Sequence, residues 1–97
     1  MGLDQNLYEY HRNIMNPTEP EITDIAYWRK DWDLQQFIDC DNCETIEVTK
    51  HLCLHILGNL DNIYAEDPYY REQTKEAFTK ALNLVEEGRE VYYEPWW

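Results

Sequence analysis

Hydrophobic and polar residues alternate in three short segments, and this pattern predicts three β-strands. The segments run from Leu7 to Arg12 (LYEYHR), from Glu44 to Val48 (ETIEV) and from Arg89 to Pro95 (REVYYEP). Alternation of this kind is typical of a strand with one buried and one exposed face. The stretch from Asn13 to Pro20, which holds two prolines and two asparagines, predicts a loop after the first strand.

Three other segments have apolar residues at helical spacing. The first predicted helix is capped by Thr23 and extends to Asp39, where the sequence CDNC ends it. The second runs from its cap Thr49 to about Tyr64. The third lies between a capping Asp67 with an adjacent proline and a terminating Gly88. Each helix has one apolar stripe, so each is expected to pack against the rest of the chain on that side.

The element order is then β-α-β-α-α-β, and 97 residues are enough for one domain, residues 1–97. Three short strands cannot bury a sheet face by themselves. The sequence therefore predicts an α+β fold, in which a short three-stranded antiparallel sheet carries three helices on one face.

The chain contains 20 acidic and 8 basic residues, a net charge of −12 and a pI near 4.4. A net charge magnitude of roughly 2–8 is sufficient to keep a small domain in solution. Such a negative field repels nucleic acids and anionic lipids and attracts basic protein surfaces. We therefore expect a basic protein partner, with no direct nucleic-acid or membrane binding.

Other features narrow the class of protein. The three cysteines are an odd number, which argues against a secreted disulfide framework. Neither an apolar stretch long enough to span a bilayer nor a signal peptide is recognisable, so a cytoplasmic location is expected. No catalytic motif is present, and an enzyme with a carboxylate site has no support beyond the number of acids. The sequence predicts no enzyme and no cofactor, and it does not indicate an oligomeric state.

One segment has the ligand types of a zinc site. Cys40 and Cys43 are followed by His51 and His55, and zinc prefers four such ligands. However, only seven residues separate Cys43 from His51, where zinc fingers have about 12–15. On a helical projection the two histidines also face away from the apolar stripe. Binding of zinc by these four residues is therefore the less favoured alternative.

Carboxylates are concentrated in the predicted helices and in the turns next to them. Neighbouring carboxylates one helical turn apart have Cβ atoms about 5–6 Å apart, a spacing comparable to that of phosphates along DNA. Rows of acids can therefore resemble a phosphate backbone to a protein that normally grips DNA. The simpler interpretation is an acidic face that only contacts solvent. The candidate partner-binding residues are Asp31, Asp33, Asp39, Asp41, Glu44, Asp61, Glu66, Asp67, Glu72, Glu76, Glu86 and Glu87.

Four segments resemble a group of small bacteriophage proteins: MGLDQNLYEY, IAYWRKDWDLQQFID, DNCETIEVTKHL and VYYEPWW. Those proteins open with MGLD and a strand, carry a YWRK helix, continue with a Cys-Glu strand and a capped helix, and end in a Tyr-Tyr…Trp strand. The present chain is more acidic, and it is shorter between the second and third helices. The resemblance implies a phage origin but no particular activity.

Short acidic phage proteins include inhibitors of host defence, some of which mimic duplex DNA. The leading hypothesis is therefore a phage-encoded inhibitor in the bacterial cytoplasm, which occupies the basic DNA-binding groove of a CRISPR surveillance complex or a restriction enzyme. A small zinc-stabilised interaction module of a phage is the alternative.

Overall fold

The computed structural model describes residues 2–11 and 21–97 and has an α+β fold. Within these residues the elements are β1 (Asp4–His11), β2 (Glu21–Arg29), α1 (Trp32–Ile38), β3 (Ile46–Glu47), α2 (Lys50–Leu57), α3 (Leu60–Ile63), α4 (Pro68–Glu86) and β4 (Glu90–Trp96). The strands form one antiparallel sheet in the order β2-β1-β4-β3. The α+β class is confirmed, but the described residues contain four strands and four helices where three of each were predicted. The loop predicted for 13–20, and Arg12 at the end of the first predicted strand, lie outside the described residues.

The main correction concerns the first half of the predicted first helix, which is a strand. β2 pairs with β1 in antiparallel register, with Asp4 opposite Arg29 and Tyr10 opposite Ile22. Thr23 therefore lies within a strand and caps no helix, and the YWRK sequence lies where that strand ends. β2 is rich in β-branched and aromatic residues, which favour an extended backbone when a neighbouring strand can pair with them.

Only the second half of the predicted helix is helical. α1 begins after Asp31, whose carboxylate Oδ1 accepts a hydrogen bond of 3.1 Å from the backbone N–H of Leu34. The helix ends at Asp39, which has a left-handed backbone conformation with φ of 56°. Acidic residues are favoured at helix N-caps because their oxygens satisfy free backbone N–H groups.

The CDNC turn after α1 is held to the end of β4. The side-chain amide of Asn42 donates to the backbone oxygen of Trp97, and its Oδ1 accepts from the backbone N–H of Trp97, both at 2.8 Å. The backbone N–H of Cys43 donates to the oxygen of Pro95 at 2.9 Å. These hydrogen bonds therefore fix the turn between α1 and β3 against the end of β4.

The predicted second helix is divided in two, and its cap is confirmed. The hydroxyl of Thr49 accepts from the backbone N–H of Leu52 at 3.1 Å. α2 ends at Leu57, and α3 begins after Asn59, whose side chain donates to the backbone oxygen of His55 at 2.7 Å. This hydrogen bond satisfies a backbone carbonyl of the last turn of α2, next to Gly58, where the helix is interrupted.

The predicted third helix is confirmed at both ends. Asp67 accepts from the backbone N–H of Tyr70, and Pro68 occupies the first helical position of α4. At the other end Gly88 has φ of +82°, a conformation that disfavours side chains larger than glycine. The helix has 19 residues, so its axis is about 28 Å long.

Alternation along β1 and β4 separates the two faces of the sheet. Leu7 and Val91 are fully buried on the face beneath the helices, where the indole of Trp28 stacks on Phe78 with ring centroids 5.9 Å apart. The buried core lies between this face and α1, α2, α3 and α4. The opposite face, which we call the open face, carries half-buried side chains such as Tyr8. The helices therefore pack against the buried face of the sheet.

A line of buried hydrogen bonds crosses this core from β2 to α1. The indole N–H of Trp28 donates to the hydroxyl of Thr74 at 3.0 Å, and the hydroxyls of Thr74 and Tyr64 are 2.7 Å apart. Tyr64 donates to Asp31 Oδ2, also at 2.7 Å. With Thr74 donating to Tyr64, each hydroxyl gives one hydrogen bond and the line ends on a carboxylate. Buried polar groups are tolerated when they are satisfied in this way.

A second set of buried bonds joins β1, α1 and β4. The side-chain amide of Gln5 accepts from the backbone N–H of Asp31 and donates to its oxygen, at 2.9 and 3.0 Å. Gln5 also donates to the hydroxyl of Tyr93, which in turn donates to Gln35. Together the two sets fix the position of the α1 N-terminus relative to the sheet.

Candidate partner-binding surface

The structure divides the twelve candidate carboxylates into three groups according to their surroundings. One is buried, three are held by a basic side chain, and eight have no ion pair within the described residues. The eight are Asp33, Asp39, Asp41, Glu44, Glu66, Asp67, Glu76 and Glu87.

Asp31 is the buried member of the set, with an exposed fraction of only 4%. Its two carboxylate oxygens accept from Leu34 and Tyr64, so they point into the protein. Burial is the main cause that raises the pKa of this carboxyl, and the nearby carboxylates of Asp33 and Asp67 raise it further. The carboxylate of Asp31 therefore caps α1 and binds Tyr64 inside the protein, and it is not accessible to a partner.

Three candidates are paired with cations. The guanidinium of Arg71 contacts Asp61 at 2.8 Å and Glu72 at 2.9 Å. Lys50 lies 3.6 Å from Glu86, which joins α2 to the end of α4. These pairs are largely exposed, and pairs of this kind contribute little to stability. They do reduce the negative charge that these three carboxylates offer to a partner.

Five of the eight carboxylates without an ion pair fall at two places near α1. Asp33 lies in its first turn, and Asp67 at the start of α4 is close enough for both carboxylates to act on Asp31. Asp39, Asp41 and Glu44 follow one another in the turn after α1, and all three are exposed. α1 and the CDNC turn therefore carry the densest run of carboxylates without ion pairs in the described part of the chain.

The row predicted along α4 is less uniform. Glu72 and Glu76 lie one turn apart, as expected, but Lys75 and Lys80 line the same shallow groove. Glu87 lies at the far end of the helix, about 30 Å from Asp67 along the axis. The acids of α4 are therefore spread over a length near that of nine base pairs, at about 3.4 Å each.

The candidate zinc ligands are not brought together. The rings of His51 and His55 are parallel with centroids 6.2 Å apart, and His55 also stacks on Phe37 at 4.8 Å. The Cys40 thiol accepts a hydrogen bond from Gln35, while the Cys43 thiol donates to Asn42. Among residues 2–11 and 21–97, no three His, Cys, Asp or Glu side chains are grouped so that they could hold a metal ion. The geometry of the described residues therefore gives no support to the zinc alternative, which stays a prediction.

The cysteine environments also differ from those of reactive thiols. Burial raises the pKa of Cys53 to about 11. Burial is also the main cause that raises the pKa of Cys40; the carboxylates of Glu44 and Asp41 add to this effect, and the hydrogen bond from Gln35 opposes it. A raised pKa lowers the thiolate fraction at neutral pH. These two cysteines are therefore suited to packing.

The open face of the sheet carries a group of aromatic residues that the sequence analysis did not single out. Tyr8, Tyr10 and Tyr92 surround a cleft of about 180 Å³, with Thr45 completing its lining. The alternation that predicted β1 and β4 already placed these rings on one side of each strand. The pairing of β1 with β4, which brings Tyr8 opposite Tyr92, was the missing information.

Comparisons with known proteins do not identify a family for this chain. Comparison with protein-family models gave no match, and neither the curated proteins nor the solved structures gave a significant one. The resemblance to phage proteins consequently stays a prediction. One of its elements differs here, because YWRK lies at the end of β2 and not in a helix. None of the helices described is long and apolar enough to cross a membrane.

Proposed function

We propose that this protein is a phage-encoded, non-enzymatic inhibitor that binds the DNA-binding groove of a bacterial defence complex, with its carboxylates in place of phosphates. The target class is a CRISPR surveillance complex or a restriction enzyme in the host cytoplasm. The observation that carries the proposal is a net charge of −12 together with eight candidate carboxylates that have no ion pair in the described residues.

The distribution of these carboxylates supports binding through the helical side. Asp33, Asp39, Asp41 and Glu44 lie on or directly after α1, and none of them contributes to the buried core. A basic groove that releases counterions from DNA gains similar electrostatic energy from a fixed acidic surface. Lysines and arginines of the target would contact these carboxylates in the way that they contact the phosphates of DNA.

The protein's own cations limit where such a groove can dock. Arg71 partly neutralises Asp61 and Glu72, and Lys75 and Lys80 lie beside Glu76. Like charges facing one another across an interface oppose association. The proposed docking surface is therefore centred on α1 and the CDNC turn, with Glu66 and Asp67 at its edge.

Competition binding tests the proposal directly. A labelled DNA duplex is bound to each purified candidate complex, and the protein is added at increasing concentration. Displacement of the duplex from one of these complexes is the expected result. In a direct binding measurement without DNA, the affinity of that complex for the protein should fall about tenfold or more when salt rises from about 0.05 to 0.2 M. Independent binding of duplex and protein to every complex would rule out mimicry.

A further inference from the structure

Two tryptophan side chains meet beside the proposed docking surface, where α1 begins and β4 ends. Trp32 is the first residue of α1, and Trp97 directly follows β4. Their rings contact edge to face, with centroids 5.6 Å apart and an interplanar angle of 64°. Trp32 is 41% exposed and Trp97 is half-buried, so both rings reach the surface. We call these two rings the indole pair.

The backbone on both sides of the indole pair is held in place. Asn42 of the CDNC turn donates to the backbone oxygen of Trp97 and accepts from its backbone N–H, both at 2.8 Å. Trp32 belongs to the first turn of a helix that is capped by the carboxylate of Asp31. Because little conformational freedom remains to be lost, a ligand that contacts the rings meets a site that is already formed.

The residues next to the indole pair are acidic. Asp33 follows Trp32 in the first turn of α1, and Asp41 precedes the asparagine that holds Trp97. Both carboxylates are exposed, and neither has an ion pair among the described residues. A ligand at the rings therefore enters a negative field.

Aromatic rings in a negative field favour a cation. The face of an indole carries partial negative charge, and it attracts a guanidinium or ammonium group within about 6 Å more strongly than other aromatic rings do. Arginine fits best because its planar group stacks on a ring while its N–H groups reach a carboxylate.

The same charges disfavour two other occupants. The phosphates of a nucleic-acid strand would meet Asp33 and Asp41, which repel them. A second copy of the chain, bound through a two-fold axis, would present the same surface to itself. Its carboxylates would then face identical carboxylates, and like charges across an interface oppose association.

We propose that the indole pair of Trp32 and Trp97 binds an arginine side chain of the basic protein partner. This inference rests on the proposed function for the nature of the partner, and it identifies side chains that anchor that partner. Tryptophan is enriched among the few residues that contribute most of the binding energy at protein interfaces. The carboxylates attract the partner, and the indole pair holds one of its side chains.

Peptide titration of the whole chain tests the indole pair. The probe is an acetylated, amidated peptide, Gly-Gly-Arg-Gly-Gly, and its control replaces arginine with citrulline, which has the same shape and no charge. Each of the four tryptophans has one indole N–H signal that NMR can follow. Saturable shifts of Trp32 and Trp97 with the arginine peptide only are expected, while the buried Trp28 stays unchanged. Equal shifts with the citrulline peptide would overturn the inference.

Matched variants separate the indole pair from another exposed tryptophan. Trp97→Leu removes one ring and keeps both hydrogen bonds to Asn42, because these involve only the backbone of residue 97. It should weaken binding of the arginine peptide about threefold or more, and Trp32→Leu should do the same. Trp96→Leu is the control, since Trp96 is 62% exposed and the alternation of β4 places it on the open face.

The control variant should bind the arginine peptide as the original protein does. An unchanged indole signal of Trp28 shows that each variant is folded, because this N–H donates to Thr74 inside the core. Equal losses of affinity in Trp96→Leu and Trp97→Leu would contradict the proposal.

Two further outcomes would also overturn it. A single-stranded oligothymidine that shifts the signals of Trp32 and Trp97 would identify the pair as a base-stacking surface. Movement of the same two signals on dilution of the protein alone, together with a dimer in analytical ultracentrifugation, would identify the occupant as a second copy.

Failure of this inference is distinguishable from failure of the proposed function. Displacement of DNA that is unaffected by Trp97→Leu, together with no arginine-dependent indole shifts, removes the anchor and leaves the mimicry. Arginine-dependent indole shifts without displacement of DNA from any complex remove the mimicry and leave a site for a cationic peptide.

Discussion

The hydroxyl of Tyr64 donates to the buried carboxylate of Asp31 at 2.7 Å and thereby links α4, the segment after α3 and the start of α1. Thr74 of α4 lies 2.7 Å from the same hydroxyl, and Trp28 donates to Thr74. A single series of buried hydrogen bonds therefore runs from Trp28 to the carboxylate of Asp31. Removing the Tyr64 hydroxyl interrupts this series.

Tyr64→Phe should destabilise the protein by about 1–3 kcal/mol, because Asp31 and Thr74 each lose a buried partner. The measurement is urea unfolding followed by circular dichroism. Tyr69→Phe removes a hydroxyl from an exposed ring and is the matched control, with a change of less than about 0.5 kcal/mol. Equal stabilities of the two variants would show that the buried line contributes nothing.

Asp31 should also make stability depend on pH in a defined direction. Burial raises its pKa above the ordinary 3.8, so between that value and the raised pKa the folded state binds more protons than the unfolded state. The contribution of this carboxyl to the free energy of unfolding therefore falls as pH rises through that window and is constant above it.

Asp31→Asn removes this titration. The free energy of unfolding of the original protein minus that of the variant should fall as pH is raised from about 4 and then level off. Asp41→Asn, at an exposed carboxylate in the turn after α1, is the control for general charge effects. A difference that rises with pH would mean that the folded protein stabilises the ionised form.

The CDNC turn is predicted to act through Asn42. Asn42→Ala should cost about 1 kcal/mol, because two hydrogen bonds to the backbone of Trp97 are lost. Cys43→Ser, at the exposed neighbouring residue, should change stability by less than about 0.5 kcal/mol.

Thermal unfolding of the protein should be the same with and without EDTA. A large loss of stability in EDTA would instead indicate that the turn binds a metal ion.

Glu9 lies almost completely buried, and its carboxylate is held by Arg89 at 2.8 Å. Arg89→Met should destabilise the protein by about 1–3 kcal/mol, since among the described residues it leaves the buried carboxylate with His11 as its remaining ion-pair partner, at 3.6 Å. Lys50→Met breaks the exposed pair with Glu86 and should cost less than about 1 kcal/mol. Chemical unfolding of both variants makes the comparison, and a larger loss for Lys50→Met would contradict it.

Where local sequence decided the structure, prediction succeeded. The caps Thr49 and Asp67 and the terminator Gly88 are short-range signals, and all three act as predicted. In β2 the local pattern predicted the wrong element, a helix. Ile25, Trp28 and Trp32 recur at intervals that also suit a helix, and only pairing with β1 makes the segment extended. That pairing is non-local, so periodicity within the segment could not reveal it.

The candidate site shows the same division. Asp39, Asp41 and Glu44 are exposed because they lie in a polar turn, and the local sequence is sufficient to predict such a turn. The burial of Asp31 does not, because it requires Tyr64 and Gln5 to arrive from distant elements. The tyrosine cleft likewise exists only once β1 and β4 are side by side.

We propose that the location of the carboxylates without ion pairs, and not the total charge, determines partner binding. Asp39→Asn, Asp41→Asn and Glu44→Gln combined remove three such charges beside α1. Asp61→Asn, Glu72→Gln and Glu86→Gln combined remove three charges that Arg71 and Lys50 already hold. Both variants have a net charge of −9, that is −12 plus 3.

The decisive measurement is the concentration at which each variant displaces a DNA duplex from the defence complex that the competition experiment identifies. We expect the first variant to require about tenfold more protein, and the second to remain within about threefold of the original. Equal losses in the two variants, or none in the first, would contradict the account.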